Sequence, residues 1–390
     1  MKKTIHWMAV TGFLLAACGG GIGYECTDPL GCVVVESGAP IKIAIALTLT
    51  GPDSPYGIDA LRGVEIAIAD RGNRLLSREI ELVRADERCE EQGGLEAATA
   101  LVADPQIVGV IGTTCSNAAV PAAKIISEAG MVLISPASTA PSLTSAEGHQ
   151  AGFLRTIYND KSQGQAVAEF AYEALGVRTM VTLHDGTPYS MELQQAACES
   201  FEQLGGECLA QVEIESGEDP ELDLVRIASL EPQALYYPLY TTDGVAVTKL
   251  ASRLMTDVAL ISSDGLLSAD FVSQVRNPAQ GMYLSGPALL EIDPSFLVKY
   301  KTVYGEAPIA VYHAAAYDAV NLLFSAIEKV VTRNGSTLYI PRQALRDALF
   351  ETRNLPGLGG TLTCSTLGDC AEPNIVIYQV RGEIFTPIYP

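Results

Sequence analysis

From Ile41 to Ile261 the chain keeps returning to one pattern: a short apolar run rich in β-branched residues, a turn, then a longer segment with apolar residues at helical spacing. Runs of that kind suit strands covered on both faces, and a parallel sheet wrapped by helices accommodates the alternation. The first expected strand is Ile41 to Thr50. After the turn Gly51 to Gly57, residues Ile58, Leu61, Val64 and Ile68 fall on one helical face, with Arg62 and Glu65 off it. Strand Glu79 to Arg84, helix Gly94 to Ala103, strand Ile107 to Gly112, helix Ala118 to Ala129 and strand Met131 to Ile134 are expected next. A second cycle of the same kind starts near Leu154, from an expected helix Gln163 to Leu175 through to an expected strand Val258 to Ile261. Expected helices around Pro294 to Tyr304, Ile309 to Ala326 and Pro341 to Leu349, followed by short strands, complete these units without starting a third. At 390 residues two packed units are the first expectation. The fold class is therefore α/β, with two doubly wound parallel-sheet lobes joined by a hinge. Lobe one is expected over 41–155, completed by about 288–372, and lobe two over 156–287, completed by about 373–390.

The N-terminus carries an address. Lys2 and Lys3 precede an apolar run, Trp7 to Leu15, that is too short to span a bilayer, so residues 1–17 are expected to be a signal peptide. The run ends in Leu15, Ala16, Ala17, Cys18 and then Gly19, Gly20, Gly21, which resembles a bacterial lipobox with Cys18 as the acceptor of the lipid; the alternative is an ordinary signal peptide cut beside a chance cysteine. Two acyl chains on Cys18 would hold the chain on a membrane without a transmembrane helix. Residues 18–40, rich in glycine, then read as a tether. Gly19 stands where an Asp often signals inner-membrane retention, so the outer membrane is the preferred side of the envelope.

Charge excludes one class of partner. Asp and Glu total 46 against 25 Lys and Arg, a net charge of -21 that repels phosphate and makes a nucleic-acid partner unsuitable. Cysteine usage points to an oxidising compartment. Besides Cys18 there are eight cysteines, and three pairs are close in sequence: Cys26 with Cys32, Cys198 with Cys208, and Cys364 with Cys370. Cys89 and Cys115 remain for each other, although eight cysteines allow about 105 connectivities. The short CxxC spacings that zinc prefers are absent and the four histidines are scattered, so disulfides are expected and a metal is not. No GxSxG elbow, P-loop or HExxH helix is present, and Pro356 to Gly360 lacks GxGxxG, so no catalysis and no cofactor are expected.

In open parallel sheets, ligands bind beyond the carboxyl ends of the strands, where helix N-termini present free N–H groups. Thr113 to Asn117 follow one such strand and Ser135 to Pro141 another. Hydroxyls and N–H groups there suit a carboxylate, and an exposed carbonyl such as that of Ala137 suits an ammonium group, so together they would hold an α-amino acid head. N-capping is the alternative use of the same residue types. Tyrosine combines apolar area with a polar tip, so Tyr56, Tyr240 and Tyr312 are candidates for a side-chain pocket, although each could equally be a half-buried packing residue.

Taken in order, these residues resemble the leucine/isoleucine/valine-binding protein family, the type I periplasmic solute-binding proteins that serve ABC importers. The match runs from about Lys42 to the C-terminus. It rests on Gly51, Pro52, Tyr56 and Gly57; Cys89 and Cys115; Ser116; Ser135 to Pro141; His184, Asp185 and Tyr189; Tyr236, Tyr237 and Tyr240; and Asp264 with Gly265. The resemblance implies that Ser116 and Thr139 bind a ligand carboxylate, that the Ala137 carbonyl and Asp264 bind its ammonium, and that Tyr189 closes over the head group from lobe two. It implies Cys89–Cys115 as the lobe-one disulfide, and leaves His184 in a supporting place near the strand end. It also implies an ABC permease partner, a monomer and hinge closure on the ligand. The three additional cysteine pairs depart from the family pattern, and Asp264 is shorter than the Glu often found there. With no Lys or Arg in the pocket segments, an uncharged or aliphatic amino acid is the expected ligand. Two other roles for the same fold are a ligand-sensing component of a signalling receptor and an interaction lipoprotein that binds no small ligand.

Overall fold

The computed structural model describes residues 24–288 and 292–390. The expected signal peptide and Cys18 lie outside the described residues. Two sheets organise the chain. The first has six strands in the order Arg74–Leu75, Arg78–Asp86, Ile41–Leu47, Ile107–Gly112, Leu133–Ser135, Phe153–Arg155, parallel apart from the short first strand. The second has seven: Ile384–Tyr389, Ile375–Arg381, Tyr283–Pro287, Ala259–Ser262, Ala234–Tyr236, Thr179–His184 and Glu207–Glu213. From Tyr283–Pro287 to Glu207–Glu213 it is parallel, and the two C-terminal strands extend it antiparallel.

The opening strand shows why the alternation produces this architecture. Ile41, Ile43, Ile45 and Leu47 point into a core shared with helix His313–Val330, while Ala44 and Ala46 point into a second core under helices Glu91–Val102 and Ser116–Glu128. Both faces are covered, so the strand reads as one continuous apolar run. Each Ile or Leu so buried contributes about 2 kcal/mol of transfer free energy.

Differences from the expected boundaries have local causes. The strand ends at Leu47, because Thr48 turns its hydroxyl to Glu87 Oε1 at 2.8 Å. The next helix starts at Ser54, ahead of Ile58, because Pro55 occupies its first turn, where a missing N–H costs nothing. The helix expected from Gln163 to Leu175 spans Asp160–Glu169, with Asn159 capping Lys161 N–H, and passes into a π turn at Phe170–Ala174. The helix expected from Ile309 starts at His313 and runs to Val330.

The tether reading of residues 18–40 needs correction over residues 24–40, since residues 18–23 lie outside the described residues. Cys32–Val35 is a strand, paired antiparallel with Thr337–Pro341, and Val33 and Val35 are buried in the main core. Two apolar side chains on one face of an alternating strand secure the segment to the body. The disulfides form in the expected pairs, Cys26–Cys32, Cys89–Cys115, Cys198–Cys208 and Cys364–Cys370. Among the described residues no helix is long and apolar enough to cross a membrane, and no cluster of His, Cys, Asp and Glu forms a metal site.

Candidate ligand-binding site

Each sheet has a point where the chain's path reverses direction. In the first, Ile41–Leu47 has its successors on both sides; in the second, Thr179–His184 does. The crevices at these switch points lie beyond the carboxyl ends of the strands, and the cleft between the lobes is built there.

On the lobe-one side the loop Thr113–Cys115 leads into helix Ser116–Glu128. Glu87, fully buried, holds this loop: Oε1 accepts from the Thr114 and Cys115 N–H groups at 3.0 and 3.2 Å, and Oε2 from the Cys89 N–H at 2.7 Å. Burial pushes the Glu87 carboxyl up to about 7, against the pull of those hydrogen bonds. The Cys89–Cys115 disulfide ties the same two loops covalently. Ser116 Oγ accepts from the Thr139 and Ala140 N–H groups, both at 3.1 Å, which leaves its own proton to donate. Ser135 orders the rest of the loop, accepting from the Ala137 and Ser138 N–H groups at 3.2 and 2.8 Å. Behind it the buried Arg155 is taken up by Asp369 at 2.5 Å and by the Ser138 and Ala140 carbonyls.

On the lobe-two side Asp264 follows strand Ala259–Ser262 and is fully buried. Its Oδ1 accepts from Gln163 Nε2 at 3.0 Å and the Tyr189 hydroxyl at 2.9 Å, and its Oδ2 accepts from the Tyr312 hydroxyl at 2.7 Å. Burial raises the Asp264 carboxyl above the ordinary range, and the three donors pull against it. Tyr312 belongs to lobe one, so this last bond joins the lobes. So do the bonds from the Tyr56 hydroxyl to the Gly265 carbonyl at 2.6 Å, from the Thr241 N–H to Asp53 at 3.0 Å, and from the Ser142 N–H to Glu192 at 2.7 Å. The lobes are closed. Gly57 allows helix Ser54–Asp70 to approach the end of the opening strand, since a Cβ there would lie 2.0 Å from the Thr48 carbonyl oxygen.

The structure therefore joins Tyr189 and Tyr312 directly to Asp264 and Tyr56 to the adjoining Gly265, and sets Tyr240 at a tilt against Tyr189 with ring centroids 4.9 Å apart. Ser116, Ala137 and Thr139 sit on the facing loop, and the Tyr240 hydroxyl reaches toward the Ser116 N–H. His184 is placed elsewhere: its Nδ1 accepts from the Gly186 N–H in the turn that follows it.

Sequence reasoning missed Asp160. It opens helix Asp160–Glu169, is fully buried, and has only the Thr139 hydroxyl reaching toward its carboxylate. Burial, then the nearby Asp264 charge, push its carboxyl well above the ordinary range. Tyr158 OH and Gln163 Oε1 are buried without partners, while the Tyr236 hydroxyl lies toward Ser285 and Ser263 and the Thr241 hydroxyl toward Asp53 and Tyr56. Tyr158 and Tyr236 both feel the charges of Asp160 and Asp264. Two buried carboxylates ringed by hydroxyls suit a cationic group, and the helix N-terminus with its hydroxyls on the facing loop suits an anionic one. The Asn159-Asp160 pair was the available signal, but it reads as an ordinary helix cap.

Comparison with known proteins gives a consistent picture. The family model described as periplasmic binding protein matches residues 40–383. The chain is 25% identical over 344 residues to a leucine-, isoleucine-, valine-, threonine- and alanine-binding protein of Pseudomonas aeruginosa, covering 87% of this chain and 89% of that one. A leucine-binding protein from Thermotoga maritima superposes with a TM-score of 0.80 at 27% identity, over 89% of this chain and 97% of the other. The branched-chain amino acid transporter substrate-binding protein of Streptococcus pneumoniae, solved with isoleucine, shares the fold with a TM-score of 0.77 at 22% identity, over 90% and 100% of the two chains.

Proposed function

The chain belongs to the periplasmic binding protein family, and from that premise we propose that it captures an uncharged or aliphatic amino acid between its lobes and delivers it to an ABC importer. The observation that carries the reading is the buried pair Asp160 and Asp264, set without a lysine or arginine hydrogen-bonded to either and facing a helix N-terminus with two hydroxyls. A zwitterionic head group supplies both missing charges. Its ammonium sits between the two carboxyl groups and balances one negative charge, helped by the Ala137 carbonyl, and its carboxylate takes the Ser116 hydroxyl proton, the Thr139 hydroxyl and the N–H groups at the start of helix Ser116–Glu128. Tyr56, Tyr189, Tyr240 and Tyr312 enclose what remains of the ligand. Because the partners come from both lobes, the ligand stabilises the closed state, which is the form a permease recognises. The relatives' names support an amino-acid ligand.

The same proposal places the chain, as a monomer with lobes divided near residues 155 and 287, on the outside of the cytoplasmic membrane, held by lipid on Cys18 and preferentially on the outer membrane. Loss of palmitate labelling in Cys18→Ser tests the anchor. The ligand is tested by thermal shift of refolded, ligand-free protein against the twenty amino acids, small amides and short peptides, with Asp264→Ala as control. A ligand at a hundred times its dissociation constant adds about 2.7 kcal/mol. A selective rise in Tm that disappears in Asp264→Ala is the expected result. No rise with any compound overturns the amino-acid reading.

A further inference from the structure

Helix His313–Val330 begins without a cap of its own. Tyr312 stands at its N-cap position and makes no side-chain cap hydrogen bond, so the first N–H groups need an acceptor from elsewhere. Asp59, in the middle of helix Ser54–Asp70 and fully buried, provides it. Its Oδ2 accepts from the N–H groups of Tyr312 and His313, each at 2.9 Å, and lies 2.8 Å from His313 Nδ1. Its Oδ1 accepts from the Tyr300 hydroxyl at 2.9 Å, and Arg62 in turn donates to that hydroxyl at 3.2 Å. A carboxylate there also meets the positive end of the helix dipole. Burial alone would raise the Asp59 carboxyl, but the charge of His313 and the hydrogen bonds outweigh it and hold the group below its ordinary range. The two helices come close enough because residue 63 is glycine: a Cβ there would lie 2.1 Å from the His313 carbonyl oxygen.

This clamp sits beneath the contacts that close the cleft. Tyr312, whose backbone it holds, donates its hydroxyl to Asp264 at 2.7 Å. Tyr56, one turn before Asp59 in the same helix, donates to the Gly265 carbonyl at 2.6 Å, and the two rings lie 5.9 Å apart. The segment that leaves lobe one rests on the same helical turn, through the bond from Thr156 Oγ1 to the Ala315 carbonyl at 2.8 Å. We propose that Asp59 is a positioning residue for lobe closure: it caps helix His313–Val330 from the neighbouring helix and so holds Tyr312 where its hydroxyl meets Asp264.

The effect on affinity rests on the ligand reading above; the clamp itself does not, and the test separates them. In the purified wild-type chain without ligand, amide exchange at Tyr312 and His313 is expected to be slow, although uncapped first-turn amides exchange quickly. Fast exchange at both positions overturns the proposal without requiring any variant to fold. Asp59→Asn is expected to speed exchange at these amides about tenfold or more while Leu322 to Phe324, in the same helix, keep their protection. With L-leucine as the calorimetric probe, Asp59→Asn and Tyr312→Phe are each expected to weaken binding about tenfold, and the double variant to be no weaker than Tyr312→Phe alone. Additive losses would show that Asp59 does not act through Tyr312 and would overturn the proposal. A wild type that takes up no L-leucine counts against that ligand, and the exchange measurement alone then decides the clamp.

Discussion

Asp160 is fully buried with only the Thr139 hydroxyl reaching toward it, and the charge of Asp264 adds to the cost of ionising it. An acid kept in that state lowers the stability of the protein. With a folded-state pKa raised above the unfolded value, the folded state holds its proton longer, so stability is lost as pH rises above about 4. Asp160→Asn is accordingly expected to raise the ligand-free Tm at pH 8 and to weaken ammonium-bearing ligands about tenfold. A lower Tm together with unchanged affinity would remove Asp160 from the site. Glu87 follows the same sign, with its carboxyl pushed up to about 7 by burial. Its contribution falls between about pH 4.5 and 7 by an amount on the order of 3 kcal/mol, and Glu87→Gln should flatten that part of the stability profile. Asp264 stood out in the sequence because it follows a strand and the resemblance implied a ligand contact there. Asp160 was not, because an acid after Asn at a helix start has a common structural use and burial on all sides is a property of the folded lobes.

On the proposed reading, the element that addresses the ligand carboxylate is helix Ser116–Glu128. Its N-terminus opens on the loop that Glu87 and the Cys89–Cys115 disulfide hold, and Ser116 Oγ links it to the N–H groups of Thr139 and Ala140. Ser116→Ala removes an acceptor shared by two N–H groups and a donor for a carboxylate. It is expected to cost about 1 to 3 kcal/mol of stability and to weaken amino acids while leaving the corresponding amines, which lack the carboxylate, unaffected. Equal losses for acids and amines in calorimetry would refute the assignment. The strand that precedes this helix, Ile107–Gly112, was expected with those bounds, since an apolar run ending in glycine marks both ends. Helix starts at Ser54 and Asp160 were harder to place, because their first turns are polar and the apolar period begins later.

For the whole molecule the four disulfides differ in reach. Cys89 and Cys115 are 26 residues apart, against 6, 10 and 6 for the other pairs. Loop-closure entropy assigns about 3.5 kcal/mol to the longest and about 2.2 kcal/mol to a six-residue loop. Replacing Cys89 and Cys115 by Ser is therefore expected to lower Tm more than replacing any other pair; a smaller drop than for Cys364 and Cys370 would count against the entropic account. The strand Cys32–Val35 carries the opposite lesson. Its partner Thr337–Pro341 lies about three hundred residues along the chain, so nothing local in residues 18–40 marks it as part of the body.

What the sequence determined by itself was whatever depends on neighbours along the chain. Apolar runs covered on both faces, helical periods between them, close cysteine pairs and polar residues just past strand ends all follow from local pattern and solvent avoidance. Their ordered match to a known family implied roles for Ser116, Thr139, Tyr189 and Asp264. Tertiary structure alone decided which strand ends meet, that Tyr56 and Tyr312 reach from one lobe to the Asp264 turn of the other, and that Asp160 is buried beside Asp264. It also decided that Asp59, inside a helix, caps a second helix some two hundred and fifty residues later. The physical reason is common to all of these. Burial, charge and capping are set by every element packed around a group, and those elements come together only when both sheets and the helices across them have formed.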